Sequence, residues 1–348
     1  MSLKTLFMAA LFAAATSGAT VALEDCKLKR VKLEGKFLDL DDRAELSGVA
    51  LYGDTLILVS NEATRTEEGK KKEDSLQLFD RSEKKKNTFI FRDDEPVFEK
   101  DDNACRHADL EGIAVIGDLA YVVGSHSLAR AKLKKGASYD ENKAAFDKAE
   151  MSEPCSRRNS LLELRLSKDG RIAARKSIDL GRLIKQHRVF EPFLNVPSKE
   201  NGVDIEGIAV TEDEIYIGFR GPVLRDNFVP VLVLNRKEPE AGSEIRYVQL
   251  GGRGIRDMVR VADGFLIIAG PVGDADSSFK LVHWNGKDMI PGTDRRPTPV
   301  SDLCELPRSG NAKAEGIAVV EETSKAYKII VVYDGKDALI AKSGRIAR

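Results

Sequence analysis

Short apolar runs closed by polar turns recur along the chain, and one of them carries a repeated motif. Asp109-Leu110-Glu111-Gly112-Ile113-Ala114-Val115 returns as Asp204-Ile205-Glu206-Gly207-Ile208-Ala209-Val210 and again as Ala314-Glu315-Gly316-Ile317-Ala318-Val319. A weaker copy stands at Leu46-Ser47-Gly48-Val49-Ala50, and a diverged one at Arg256-Asp257-Met258-Val259-Arg260-Val261. Each copy is followed by a turn, such as Gly53-Asp54, Gly117-Asp118, Glu212-Asp213 or Asp263-Gly264, and then by a second run rich in β-branched and aromatic residues. That order is the signature of a β-hairpin, so every repeat is expected to open with one.

Further strands are expected after most hairpins, at Ser75 to Asp80, Asn87 to Arg92, Ser160 to Leu166, Arg171 to Ile178, Pro230 to Asn235, Ile245 to Leu250 and Phe279 to Trp284. Four antiparallel strands per repeat make the blade of a propeller. The repeats return at intervals of roughly 50 to 95 residues, as such arrays do. The chain outside them, Leu28 to Phe37 with the C-terminal strands, amounts to one closing unit. The fold expected is therefore all-β, a β-propeller of four-stranded blades, with five blades favoured and six as the alternative count. The long second interval contains Tyr139 to Phe146, which favours a short helix and is read as a partly helical insertion in the second blade.

The first residues change the picture of where the chain works. Lys4, the apolar run Leu6 to Ala15 and the small residues Ser17-Gly18-Ala19 and Thr20-Val21-Ala22 follow the order of a signal peptide. The expected organisation is a signal over 1–22 and a single propeller domain over 23–348, exported to the periplasm or secreted. Four cysteines with no C-x-x-C pair suit an oxidising compartment, and the pairing preferred is Cys105 with Cys155 and Cys26 with Cys304. With 55 basic against 56 acidic residues, charge gives no ground for a nucleic-acid partner, and no later run is long enough for integral membrane contact.

Asp204 to Ala209 followed by Tyr216-Ile217-Gly218-Phe219-Arg220-Gly221-Pro222-Val223, with Gly254-Ile255-Arg256-Asp257-Met258, Ala269-Gly270-Pro271 and Ala314-Glu315-Gly316-Ile317, resembles the exported bacterial proteins grouped as domain of unknown function 3616. That resemblance covers most of the chain and brings no catalytic residues with it. More distantly the Glu-Gly-Ile-Ala pattern is similar to phytase-like propellers, which implies an acidic, calcium-dependent site acting on phosphate esters.

In such a fold, strand starts of the first strands and ends of the second gather at one mouth of the channel. The candidate metal ligands there are Glu111, Asp204, Glu206, Asp257 and Glu315, with calcium the candidate ion because it takes carboxylate oxygens. Arg220, Arg225 and Arg256 are the candidate substrate-binding residues, suited to an anionic small molecule such as a phosphoester. His126, Glu206 and Glu315 are the candidate catalytic residues, with His107 a second proton carrier. The opposing reading makes the repeated glutamates hydrogen-bond acceptors for neighbouring strands, in a non-enzymatic scaffold with a protein partner. No nucleophile elbow, zinc motif or phosphate loop is present.

Overall fold

The apolar runs form strands and the Gly/Asp pairs between them form the turns, as their composition requires. The structure is a computed structural model and describes residues 23–35, 46–60, 64–65, 72–99, 108–130, 132–147, 156–275, 277–307, 309–335 and 340–348. The proposed signal, Asn61, Glu62, His107, Cys105 and Cys155 lie outside the described residues.

In chain order the strands are β1 (Lys29–Glu34), β2 (Leu46–Tyr52), β3 (Thr55–Ser60), β4 (Thr64–Arg65), β5 (Lys72–Glu73), β6 (Ser75–Arg81), β7 (Thr88–Pro96), β8 (Leu110–Ile116) and β9 (Leu119–Gly124). Then come β10 (Ser160–Leu166), β11 (Ile172–Asp179), β12 (Asp204–Val210), β13 (Glu214–Gly221), β14 (Phe228–Asn235), β15 (Ser243–Gln249) and β16 (Gly254–Val261). The rest are β17 (Gly264–Gly270), β18 (Phe279–Trp284), β19 (Ser301–Leu306), β20 (Lys313–Glu322), β21 (Ala326–Asp334) and β22 (Ile340–Ala347). Helix α1 (Tyr139–Asp147) occupies the segment expected to be helical, and Ser138 starts it with a capping box: its N–H and hydroxyl donate to Glu141 while the Glu141 N–H donates to its Oγ. A second short helix, α2 (Leu180–Ile184), is buried on most of its residues.

The strand pairing corrects the expected architecture. β8 to β11, β12 to β15 and β16 to β19 form three four-stranded sheets, but the remaining long strands form one eight-stranded sheet in the order β2-β3-β6-β7-β1-β22-β21-β20. Its two edge strands, β2 and β20, pack against each other, so the sheet nearly closes on itself. The chain is all-β, yet it is not a propeller of separate four-stranded blades, five or six in number. The physical reason is β1. It runs antiparallel to β22, with Val31 opposite Ala341, and its other edge pairs parallel with β7, with Leu33 opposite Phe89. One strand thereby satisfies two edges and welds the first and last repeats together, which repeat spacing alone does not reveal. The functional expectations that rested on that architecture go with it: phosphoester binding or hydrolysis at the mouth of a propeller channel, the phytase-like description, and the alternative of a propeller scaffold.

The five repeat strands β2, β8, β12, β16 and β20 each form a free edge of a sheet and neighbour one another in that order, with β20 returning to β2. Close approach between them explains the glycine of the motif. A Cβ on Gly48 would lie 3.0 Å from the Gly112 Cα, and one on Gly316 would lie 3.1 Å from the Gly48 Cα. Between the sheets lie apolar layers, such as Tyr121, Phe190, Ile205 and Phe219 on one side and Tyr216, Phe265 and Trp284 on another. Each fully buried side chain of this size contributes about 1.5–3 kcal/mol.

Cys26 is joined to Cys304, as preferred from the sequence, and the two are buried. The segment before β1 is thus tied to β19, where the Cys26 N–H also donates to the Glu305 carbonyl over 2.7 Å. Because this bond closes a loop spanning nearly the whole chain, Cys304→Ser should lower the free energy of unfolding by about 2–5 kcal/mol. Denaturant melts of the oxidised protein and the variant check this; equal midpoints would show that β1 holds without the bond.

Candidate functional site

At the start of every repeat strand the ladder slips by one residue. The pairing shift falls between Leu46 and Gly48, Leu110 and Gly112, Ile205 and Gly207, Ile255 and Asp257, and Ala314 and Gly316. The extra residues are therefore Ser47, Glu111, Glu206, Arg256 and Glu315, and a bulge re-aims the side chain it carries. This register places Arg256 where three of the other repeats hold a glutamate and the first holds Ser47, and Asp257 where all four hold glycine. A further slip on β13 makes Arg220 an extra residue as well.

These bulged side chains meet. Arg256 Nε lies 2.8 Å from Glu206 Oε2 and 2.8 Å from Glu315 Oε2, and its Nη2 donates to Glu315 Oε1. Arg220 pairs with Asp204 through Nη2 and with Glu206 Oε1 through Nη1 at 2.6 Å. All five side chains are buried. Asp257, buried beside them, accepts the N–H of Met258 at 2.8 Å and of Ile317 on β20 at 2.7 Å, and the Ile208 N–H also favours its charge.

Burial sets the protonation of this cluster. It pushes Glu206 up to about 8 and Asp204 up to about 6, against the pull of Arg220 and Arg256. Glu111 is raised well above the usual carboxylate range by burial and then by Asp109, Glu206 and Asp204. Asp257 is raised by burial although three backbone N–H groups oppose the shift. For Arg220, burial disfavours the charge but Asp204 and Glu206 outweigh it and raise its pKa.

Other sequence candidates fall elsewhere. Arg225 sits on an exposed turn, 4.0 Å from Asp226. The His126 N–H donates to the Arg158 carbonyl, its ring faces Gly181 and Asn159, and burial lowers its pKa, so it is a neutral imidazole turned toward α2. Beside it Asp109 accepts the hydroxyls of Ser125 at 2.6 Å and Ser127 at 3.1 Å. Asp109 and His126 both adopt left-handed backbone, with φ of 53° and 54°. The structure thus brings Asp204, Glu206, Arg220, Arg256 and Glu315 together, sets Asp257 on the neighbouring backbone, and leaves Arg225 apart. Among the described residues no group of three or more His, Cys, Asp or Glu side chains is arranged to hold a metal ion.

Sequence reasoning missed the cavity beyond this cluster. A space of about 230 Å³ is lined by all five repeat strands, including Val49, Ile113, Ala114, Ile208, Met258 and Ala318, with Arg260 at the far end of β16. The ion cluster lies at the strand starts and the lining begins two or three residues further along, so the charges stand at one end of the cavity. The converging free edges of five repeats were the available signal.

Removing Arg256 would leave Glu315 in the interior without its ion pair and Glu206 with Arg220 alone. Arg256→Met should therefore cost about 3–5 kcal/mol, measured by chemical denaturation. The folded protein also holds the Glu206 and Asp204 protons more tightly than the unfolded chain, so stability is greatest below the unfolded carboxylate range and falls as pH rises through about 6 and about 8. Between about pH 5 and about pH 9 the melting temperature should fall by at least about 2–4 °C, and Glu206→Gln should flatten that slope. An identical slope in the variant would show that Glu206 does not titrate there.

Similar solved structures include a hypothetical protein from Leishmania major, 11% identical with a TM-score of 0.42, covering 92% of this chain and 90% of that one. A GH32 beta-fructofuranosidase from Bombyx mori is 10% identical with a TM-score of 0.40, covering 91% of this chain and 60% of that one. The PQQ-bound aldose sugar dehydrogenase from Streptomyces coelicolor is 10% identical with a TM-score of 0.38, covering 93% and 100%. No curated protein matches the chain. A family profile described as "Protein of unknown function (DUF3616)" matches residues 45–172 and 153–343, and the chain belongs to that family.

Proposed function

We propose that this chain is a binding protein for a small molecule, and that the ligand occupies the central cavity and not the ion cluster. The observation that carries the reading is the cavity of about 230 Å³ lined by the free edges of all five repeat strands. Unpaired strand edges are normally a liability that proteins cover or blunt. Here they converge, so backbone N–H and C=O groups share the space with Val, Ile, Ala and Met side chains. A cavity of about 150 Å³ with apolar walls suffices for benzene, so this one holds a somewhat larger molecule. Its walls come from five packed sheet edges and need little ordering on binding, which favours affinity.

The ion cluster supports a binding role over a catalytic one. Arg220 and Arg256 are already paired with Asp204, Glu206 and Glu315, so their charges are balanced within the protein. Removing any of those carboxylates would leave a buried arginine with one partner fewer and its charge only partly compensated. The Cys26–Cys304 bond supports the expectation of an oxidising compartment outside the cytoplasm.

Ala114 lines the cavity and is only half-buried, so a larger side chain there enters the space. In ligand-observed NMR against a set of small amphiphiles, the wild type should show binding that Ala114→Leu abolishes, with the melting temperature kept. Val259→Phe, at another half-buried lining position, should do the same. Binding that survives both substitutions unchanged would remove the cavity from the account.

A further inference from the structure

We infer that the cavity selects a small monocarboxylate with an apolar body, held with its carboxylate on Arg260 and its body directed inward; this rests on the cavity reading above. Arg260 is the one charged side chain among the described residues that line the cavity. It stands on β16 beyond Met258 and Val259, at the end away from the ion cluster. Its nearest acid is Glu212, whose Oε1 lies 3.7 Å from Nη1, beyond hydrogen-bond reach, with both side chains well exposed. Such a contact holds little in water. The guanidinium therefore keeps a planar fork of donors for a carboxylate, which matches it bidentately.

Three of the acids on the turns around that end are otherwise engaged. Asp118 pairs with Arg165 at 2.5 Å, Glu321 with Arg345 at 2.8 Å, and Glu322 with Arg348 at 3.0 Å while also accepting the Ala262 N–H. Their charges are partly offset, so the field at Arg260 is not overwhelmed by uncompensated carboxylates. The opposite end carries Glu206, Glu315 and Asp257. The arginines there are already paired with Asp204, Glu206 and Glu315, so an anionic head finds no free counter-charge at that end. Charge thus fixes the ligand's direction as well as its class: head at Arg260, tail toward the cluster.

The test compares hexanoate, hexanol and hexylammonium, three probes of one tail and different heads, titrated calorimetrically into the wild type, Arg260→Gln, Arg260→Lys and Ala114→Leu. Hexanoate should bind best to the wild type. Arg260→Gln should weaken hexanoate at least about tenfold, the loss of one charge-assisted bidentate pair, and leave hexanol unchanged. Arg260→Lys, which keeps the charge without the fork, should fall between them, and Ala114→Leu should lose hexanoate and hexanol together. Arg260 is exposed, so melting of its variants should match the wild type. Equal hexanoate affinity in the wild type and Arg260→Gln, or a preference for hexylammonium, would overturn the carboxylate assignment while hexanol binding left the cavity reading standing. No binding of any of the three by the wild type would overturn both.

Discussion

Charges buried where no water reaches them must find opposite charges within the protein, and here the partners sit on different sheets. Arg256 belongs to the sheet of β16, Glu206 to that of β12 and Glu315 to the eight-stranded sheet. Among the described residues no backbone ladder joins these three sheets; their apolar layers would tolerate small slides, as cores of the right volume do. The ion cluster does not. Arg256 is compensated only when β12 lies on one side of it and β20 on the other, so the charges impose an order on elements that hydrophobic packing merely holds together. Asp257 adds to this by accepting N–H groups from its own strand and from β20.

Much of this was legible in the sequence because it is local. The hairpins, most outer strands and the α1 helix follow from runs of Val, Ile and Leu, from Gly/Asp turns, and from the helix-favouring run Tyr139 to Phe146. The role of β1 was half legible. Its pairing with the C-terminal strands follows from closure, but its parallel pairing with β7 depends on an edge left open in three dimensions, and that pairing turned the expected separate blades into one eight-stranded sheet.

The site shows the same division. A motif identifies glutamates of equal standing, yet whether each is a ligand or a strut depends on what approaches it. Arg256 escaped notice as a member of the series because its charge is opposite and Asp257 offered a better apparent match; aligning Ile255 with Leu110 and Ile205 places it correctly. Arg225 has the same chemistry as Arg220 in the sequence, and only the turn at residues 225–227 separates an exposed cation from a buried one. Nothing local distinguishes His126 from a catalytic histidine either. Its left-handed backbone and burial against α2 emerge only once β9 and the helix are in place.

The position of β1 has a consequence in time. It is made before every other described strand and can meet β7 early, yet its other neighbour, β22, reaches it only after nearly all of the chain has emerged from the ribosome. Contacts this distant in sequence form slowly, because loop-closure entropy is lost before they return any energy. Until then β1 presents an open edge, ready to accept a strand from another molecule. A nascent chain of this kind benefits from being kept apart from its copies, and mutations that delay the last strand would show first as aggregation during synthesis, before any loss of stability in the finished protein.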